Sequence, residues 1–140
     1  MWLHENKVIE SIEDMPEGTF GFVYQVTHIP TGLKYIGKKQ LMSNRTLPPL
    51  KGQKRKRKVT KESNWQDYYG SQKEMKQLVK ESEDPTEFDR RILMYCFTKK
   101  ELTYYETKEL FVNGVIERDN DYINDNIAGR YFRKDFKSKK

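Results

Sequence analysis

Two tyrosines and one glutamate are the residues of this chain whose types and settings point to chemistry. Tyr24 and Tyr35 lie in GFVYQVTHIPTGLKYIGKK, Gly21 to Lys39, each inside a short apolar run and separated by a Pro30-Thr31-Gly32 turn. A tyrosine in such a run is ordinarily a core aromatic whose hydroxyl reaches one partner, but a phenol can also orient a water or move a proton. In KKELTYYETKELFV, at 100° per residue, Leu102, Tyr105, Leu110 and Val112 define an apolar arc. Glu106 falls near its middle, and Glu109 also lies on it. A carboxylate on a core-facing stripe loses hydration unless it is paired or coordinated. One solution is an ion pair with one of the 27 lysines and arginines. The other is a hard cation such as Mg2+, which prefers carboxylate oxygens. Spacing alone does not choose between Glu106 and Glu109.

Charge supplies the second signal. The net charge is +6, yet residues 51–61, KGQKRKRKVTK, hold seven basic residues and no acid, leaving −1 for the rest. The cations are Lys51, Lys54, Arg55, Lys56, Arg57, Lys58 and Lys61, and RYFRKDFKSKK at the end adds five net positive charges. The plain reading is a solvated loop and a frayed tail. The functional reading is a grip on a phosphate backbone, where clustered cations gain by releasing condensed counterions. One cysteine, Cys96, excludes an internal disulfide, and its setting in ILMYCF reads as a buried thiol. Two histidines, His4 and His28, make a zinc site improbable, and His28, beside the turn, reads as a surface residue. No apolar stretch approaches membrane-spanning length, and MWLHENKVIE lacks the basic start and apolar core of a signal peptide. A soluble, cytoplasmic protein of one domain is expected, without a membrane partner.

The elements that must position these residues follow from period and turn chemistry. Residues 1–19 read as a leader; FGFVYQVTH and LKYIG read as the strands of a hairpin. Residues 46–63, with Pro48-Pro49, Gly52 and the charge run, read as a basic loop. Ser71 and Glu74 form a capping-box pattern for a helix that Glu83-Asp84-Pro85 stops. FDRRILMYCF reads as a third strand, with Arg90 and Arg91 free to pair with acidic groups. Thr98 and Glu101 open a helix to about Val112, ended by Asn113-Gly114. Residues 119–136 have no clear period. The expected fold is α+β: a three-stranded, mainly antiparallel sheet flanked by helices, with a basic loop inserted after the first hairpin.

These residues, in this order, resemble the GIY-YIG nucleases. Phe22-Val23-Tyr24 stands where that family has Gly-Ile-Tyr, and Tyr35-Ile36-Gly37 matches Tyr-Ile-Gly. Tyr35 follows Tyr24 by eleven positions, and Arg45 follows Gly37 by eight, the offset of the family's arginine. Tyr105-Glu106 resembles its metal-binding element, and Asn126-Ile127-Ala128 its late asparagine element. The chain departs in placing Gly21 one position early, in its long basic loop, and in lacking a histidine after Arg45, a place for which Tyr69 is the candidate. The resemblance is to small, stand-alone, phage-type or homing-endonuclease-like members. It implies one domain over 1–140, with a core of about 20–129 and a basic tail of about 130–140.

That resemblance implies roles. Glu106 would hold one Mg2+ or Mn2+ per site; Tyr24 would be the general base, assisted by Tyr35; Arg45 would hold non-bridging phosphate oxygens, with Lys38 or Lys39 as substitutes; Asn126 would close the site. A free phenol titrates near ~10, so Tyr24 must be depressed or act through a bound water. The expected activity is metal-dependent hydrolysis of duplex DNA, by a monomer or a transient dimer on DNA, giving nicks or double-strand breaks. The competing expectations are an inactive nucleic-acid-binding module that uses the basic loop, and an interaction protein that docks on an acidic partner.

Overall fold

The computed structural model describes residues 1–117 and 120–136, with Arg45 described by its backbone alone. Residues 137–140 of the basic tail lie outside the described set. In chain order the strands and helices are β1 (Trp2–His4), β2 (Lys7–Ile9), β3 (Gly21–His28), β4 (Leu33–Gln40), β5 (Met42–Leu47), β6 (Arg57–Glu62), α1 (Lys73–Glu81), β7 (Phe88–Cys96), α2 (Lys99–Val112), β8 (Asn126–Ile127) and β9 (Tyr131–Phe132).

The main sheet has the order β2-β1-β7-β3-β4. Its centre is the three strands expected from the sequence, with β3 antiparallel to both β4 and β7. The addition is at the N-terminus. Residues 1–19 are not a free leader: β1 and β2 form a hairpin, and β1 adds to β7 in parallel. Its turn, Glu5-Asn6, has positive φ at both residues (49° and 67°). That is the twist a two-residue hairpin needs, reached without the glycine that normally announces it.

Two clusters cover the sheet. On one face Phe22, Tyr24 and Val26 pack with Trp2, Trp65 and Met75. On the other, Val23, Ile36 and Cys96 pack with Leu102 and Leu110 of α2. Being covered on both sides explains why β3 reads as a nearly unbroken apolar run. The thiol of Cys96 is fully buried, and burial, with the charge of Glu101 second, pushes its pKa up to about 11.

Both helix caps follow hydrogen-bond logic. Thr98 accepts from the Glu101 amide at 3.0 Å, as expected. At α1 the cap is Gln72, accepting from the Met75 amide at 2.9 Å; Ser71 lies one residue before it. Val112, placed on the apolar arc by its spacing, is exposed at the end of α2. His28, expected at the surface, is buried, with Nδ1 2.8 Å from the Thr31 hydroxyl and Nε2 3.6 Å from the Glu87 carboxylate. Arg91 pairs with Asp89 at 2.9 Å. Arg90 instead is buried against main chain. The basic segment is not a plain loop, because β5 and β6 pair over six positions. Among the described residues no helix is long and apolar enough to cross a membrane.

Trp2 is buried between Phe22 and Tyr24, with ring centroids 5.0 and 5.3 Å away, and its Nε1 donates to the Trp65 carbonyl at 2.8 Å. Trp2→Ala should therefore cost about 3–5 kcal/mol of unfolding free energy, as for other buried aromatics. Urea denaturation measures it; a change under about 1 kcal/mol would return the N-terminal segment to a leader.

Candidate active site

The site is built at β4, the outer strand of the sheet. Tyr24 pairs with Gly37, and Val26 pairs with Tyr35, so these side chains share a face. The β3–β7 ladder shifts register between Val23 and Tyr24, leaving Leu93 of β7 as the extra residue beside the motif tyrosine. The Tyr24 ring then crosses the position a Gly37 side chain would fill. A Cβ there would lie 2.6 Å from the Tyr24 hydroxyl and 2.9 Å from Tyr35 Cε2. The two rings meet at 6.3 Å between centroids. Gly70 closes over them, since its missing Cβ would be 3.0 Å from Tyr35 Cδ2. At the other end of β3, a Cβ on Gly21 would be 2.5 Å from the Lys39 carbonyl and 2.9 Å from Leu102. This glycine, displaced in the motif, lets α2 approach the hairpin.

A cavity of about 400 Å³ opens beside β4, lined by Tyr35, Ser71, Glu106, Asn124, Asp125 and Asn126, among others. Three sequence-predicted residues therefore meet: Tyr35, Glu106 and Asn126. Glu106 is half-buried, and burial raises its pKa against a smaller opposite pull from Lys38. It has no ion-pair partner among the described residues. Glu109 is engaged elsewhere, accepting from Asn113 Nδ2 at 3.1 Å. Of the two carboxylates on the stripe, Glu106 lines this cavity and Glu109 does not. The Tyr35 hydroxyl is 3.5 Å from that of Ser71.

Tyr24 is 1% exposed. Burial, then Tyr35, Tyr68 and the charge of Glu106, push its pKa well above the ordinary phenol value. The depression that a free base would need is absent. The two lysines after the motif do not supply it: Lys38 donates to Thr103 Oγ1 at 3.0 Å, and Lys39 lies over the Tyr68 ring at 4.0 Å. Burial lowers the Lys39 pKa. Tyr35 is also raised, first by burial.

Two neighbouring residues take places that the sequence does not mark. Tyr69 packs on Phe88 at 5.3 Å, with Arg90 4.2 Å over its ring, away from this cavity. Tyr68 is the aromatic that reaches Tyr24, at 6.0 Å and near right angles. The segment is fixed by Arg90, whose Nη1 donates to the Gln66 and Tyr68 carbonyls at 2.9 Å each. The buried asparagine is Asn124, which accepts from the Ile36 amide at 3.2 Å and donates to the Ile36 carbonyl at 2.8 Å. Asn126 is exposed and accepts from the Gly129 amide at 2.9 Å, shaping the turn at the cavity rim. No periodicity marks Asn124 or Asp125; only their nearness to the Asn-Ile-Ala element hinted at them. Arg45 lies in β5 opposite Val59, and its side chain is outside the described set. The seven basic-segment cations are exposed, and none lines the Glu106 cavity.

The donor set suits one hard cation. Glu106 is a carboxylate short of solvent and of a salt bridge, with Asp125 in the same cavity. No group of three or more His, Cys, Asp or Glu placed to hold a metal occurs among the described residues. A single-carboxylate site leaves most of the coordination to water and substrate, as Mg2+ accepts.

A model of the family described as "Putative endonuclease segE, GIY-YIG domain" matches residues 2–127. No curated protein and no solved structure gives a match.

Two outcomes follow. Gly37→Ala forces the tyrosines apart; it should cost about 1–3 kcal/mol in urea denaturation and at least ten-fold in single-turnover cleavage. Ionised Glu106 opposes folding above its raised folded-state pKa, and that penalty vanishes below the unfolded-state value. In EDTA at pH 7, Glu106→Gln should melt about 2–5 °C higher than wild type. The gap should close as pH falls through the raised value. An equal gap at all pH would place Glu106 in solvent.

Proposed function

The chain belongs to the GIY-YIG family of endonucleases, which are phosphodiester hydrolases, and we propose that it cuts duplex DNA in a divalent-metal-dependent reaction centred on Glu106. The observation that carries this reading is a half-buried carboxylate without an ion-pair partner among the described residues, facing Tyr35 across an open cavity. Glu106 would hold a single Mg2+ or Mn2+, which when bound would supply charge neutralisation to the reacting phosphate.

The chain's own residues account for the rest. Hydrolysis joins a water oxygen to phosphorus, breaks the bond to the 3′ oxygen, and moves a proton off the water and another onto the leaving group. Tyr24, a neutral phenol through burial, orients the attacking water together with Tyr35. It can take the water's proton only as a phenolate, once bound positive charge has offset its desolvation and its own proton has passed to solvent; that solvent would in turn protonate the leaving oxygen. Lys38, held by Thr103 of α2, would be one cation for the phosphate, and Arg45 would be the guanidinium for the non-bridging oxygens. Asn124 holds the Ile36 main chain between the two motif residues, and Asn126 fixes the rim.

A homing-type or phage nuclease, working in the host cytoplasm as a monomer or a transient dimer on DNA, is the role we assign. With one such site per chain, both strands are cut only by two visits or by two chains.

Supercoiled plasmid incubated with Mg2+, with Mn2+ or with EDTA tests the reading. Nicked or linear product should need the metal and fall by about 100-fold or more in Glu106→Gln. DNA binding by that variant should persist. Intact, salt-sensitive binding with no cutting under any metal would make the chain an inactive binding module.

A further inference from the structure

We infer that β5 and β6 form a ribbon that enters the DNA major groove beside the cutting site and reads base edges with Asn44, Thr46, Lys58 and Thr60. This rests on the reading of the chain as a DNA endonuclease, and deepens it by assigning its sequence-reading surface.

The ribbon is fully paired, from Met42–Glu62 at its base to Leu47–Arg57 near its tip. Yet every residue of β6 is exposed. An isolated two-stranded ribbon is marginal in water, so an uncovered one is a surface awaiting a partner. The charge names the partner: residues 38–61 contain no acid, and the tip carries Lys51, Lys54, Arg55 and Lys56. A polyanion is required.

The pairing register gives the ribbon two unlike faces. Asn44 with Thr60, and Thr46 with Lys58, fall on one. These are an amide, two hydroxyls and an ammonium, groups that read base edges in the major groove. The Thr60 hydroxyl donates to Asn44 Oδ1 at 3.0 Å, which holds the amide in one orientation. The opposite face carries Ser43 with Lys61 and Leu47 with Arg57, and its cations suit phosphates. Size agrees. Six residues per strand span roughly 20 Å, and the groove, roughly 12 Å wide, admits a two-stranded ribbon.

Position completes the argument. Only the buried Leu41 separates β4 from β5. The ribbon's base is tied down where Ser63 donates its amide to the Leu41 carbonyl at 2.7 Å and its hydroxyl to the Gln40 carbonyl at 2.6 Å. A second cavity, about 470 Å³, runs from Asn44 and Ser43 past Lys99 to Lys38. Lys38 donates to Thr103 Oγ1 at 3.0 Å, one turn of α2 before Glu106, so this cavity ends beside the one that Glu106 lines, and a strand cut there passes the ribbon.

The test reads binding alone, in EDTA and in the Glu106→Gln background, so that failure of cleavage and failure of the ribbon are separate results. A pool of random 30-base-pair duplexes is bound, recovered and sequenced. The Glu106→Gln protein should enrich a motif. Adding Asn44→Ala and Thr60→Ala, with an unchanged melting temperature, should erase preference at one or two adjacent base pairs and leave the salt dependence intact. Adding Lys54→Gln, Arg55→Gln and Lys56→Gln should instead reduce the slope of log affinity against log salt by about 2–3, near ~0.9 for each phosphate contact. No enrichment, enrichment indifferent to Asn44 and Thr60, displacement by the minor-groove ligand netropsin, or equal binding of A-form RNA duplex would each overturn the proposal. A-form RNA hides its major groove from side chains, so a groove-reading ribbon must prefer DNA.

Discussion

The candidate site depends on a missing side chain. Gly37 leaves the space through which the Tyr24 ring crosses β4 to reach Tyr35, and Gly70 leaves the space above them. Fill either and the phenols separate, because both rings are held from behind. Trp2 and Tyr68 stand edge-on to Tyr24 at 5.3 and 6.0 Å. Arg90 in turn fixes both of those neighbours. Its guanidinium lies 4.6 Å over Trp2 and donates to the Tyr68 carbonyl. A buried guanidinium bound to carbonyls is costly to leave unpaired, so this post is rigid. The N-terminal hairpin thereby becomes a support for the active edge, far from it in sequence.

Electrostatics pull in the opposite direction from packing. The enclosure that orders the phenols also strips water from Tyr24 and Glu106 and raises both pKa values. In the free protein the site is held in its protonation-prone form, and its negative groups disfavour one another. Positive charge is what the arrangement lacks. Lys38 gives part of it, and its tether to Thr103 keeps it beside α2. A cation on Glu106 and a phosphate steadied by basic groups would complete the balance and would couple activation to binding.

The sequence made the motif strands, the Thr98 cap, the end of α2 and the Glu106 stripe legible, because each rests on local period or local hydrogen bonding. It concealed what depends on distant partners. Trp2 reads as a leader residue until Trp65 and Phe22 are beside it. His28 reads as surface until Glu87 covers it. Tyr68 and Tyr69 are indistinguishable as neighbours in DYYGS, and only Phe88 and Arg90 decide which turns away. Asn124 gives no periodic signal because its task is to close a sheet edge, with the Lys34–Tyr122 bridge beside it. In the basic segment seven cations mask the β-branched Val59 and Thr60, so its composition signals a loop where pairing makes a ribbon.

The same edge would let reading and cutting share so small a domain. β4 carries Tyr35 and Gly37 in its middle and runs through Leu41 straight into the ribbon. No flexible linker intervenes; the junction is held by main-chain and hydroxyl bonds from Ser63 and by Trp65 Nε1 donating to Glu62 at 2.8 Å. A ribbon seated in a groove would then fix the distance from the recognised bases to Glu106 through covalent geometry. A tethered reading domain leaves that distance to the statistics of its linker. A ribbon continuous with the strand that carries Tyr35 would confine the cut to a narrow window beside the bases it reads.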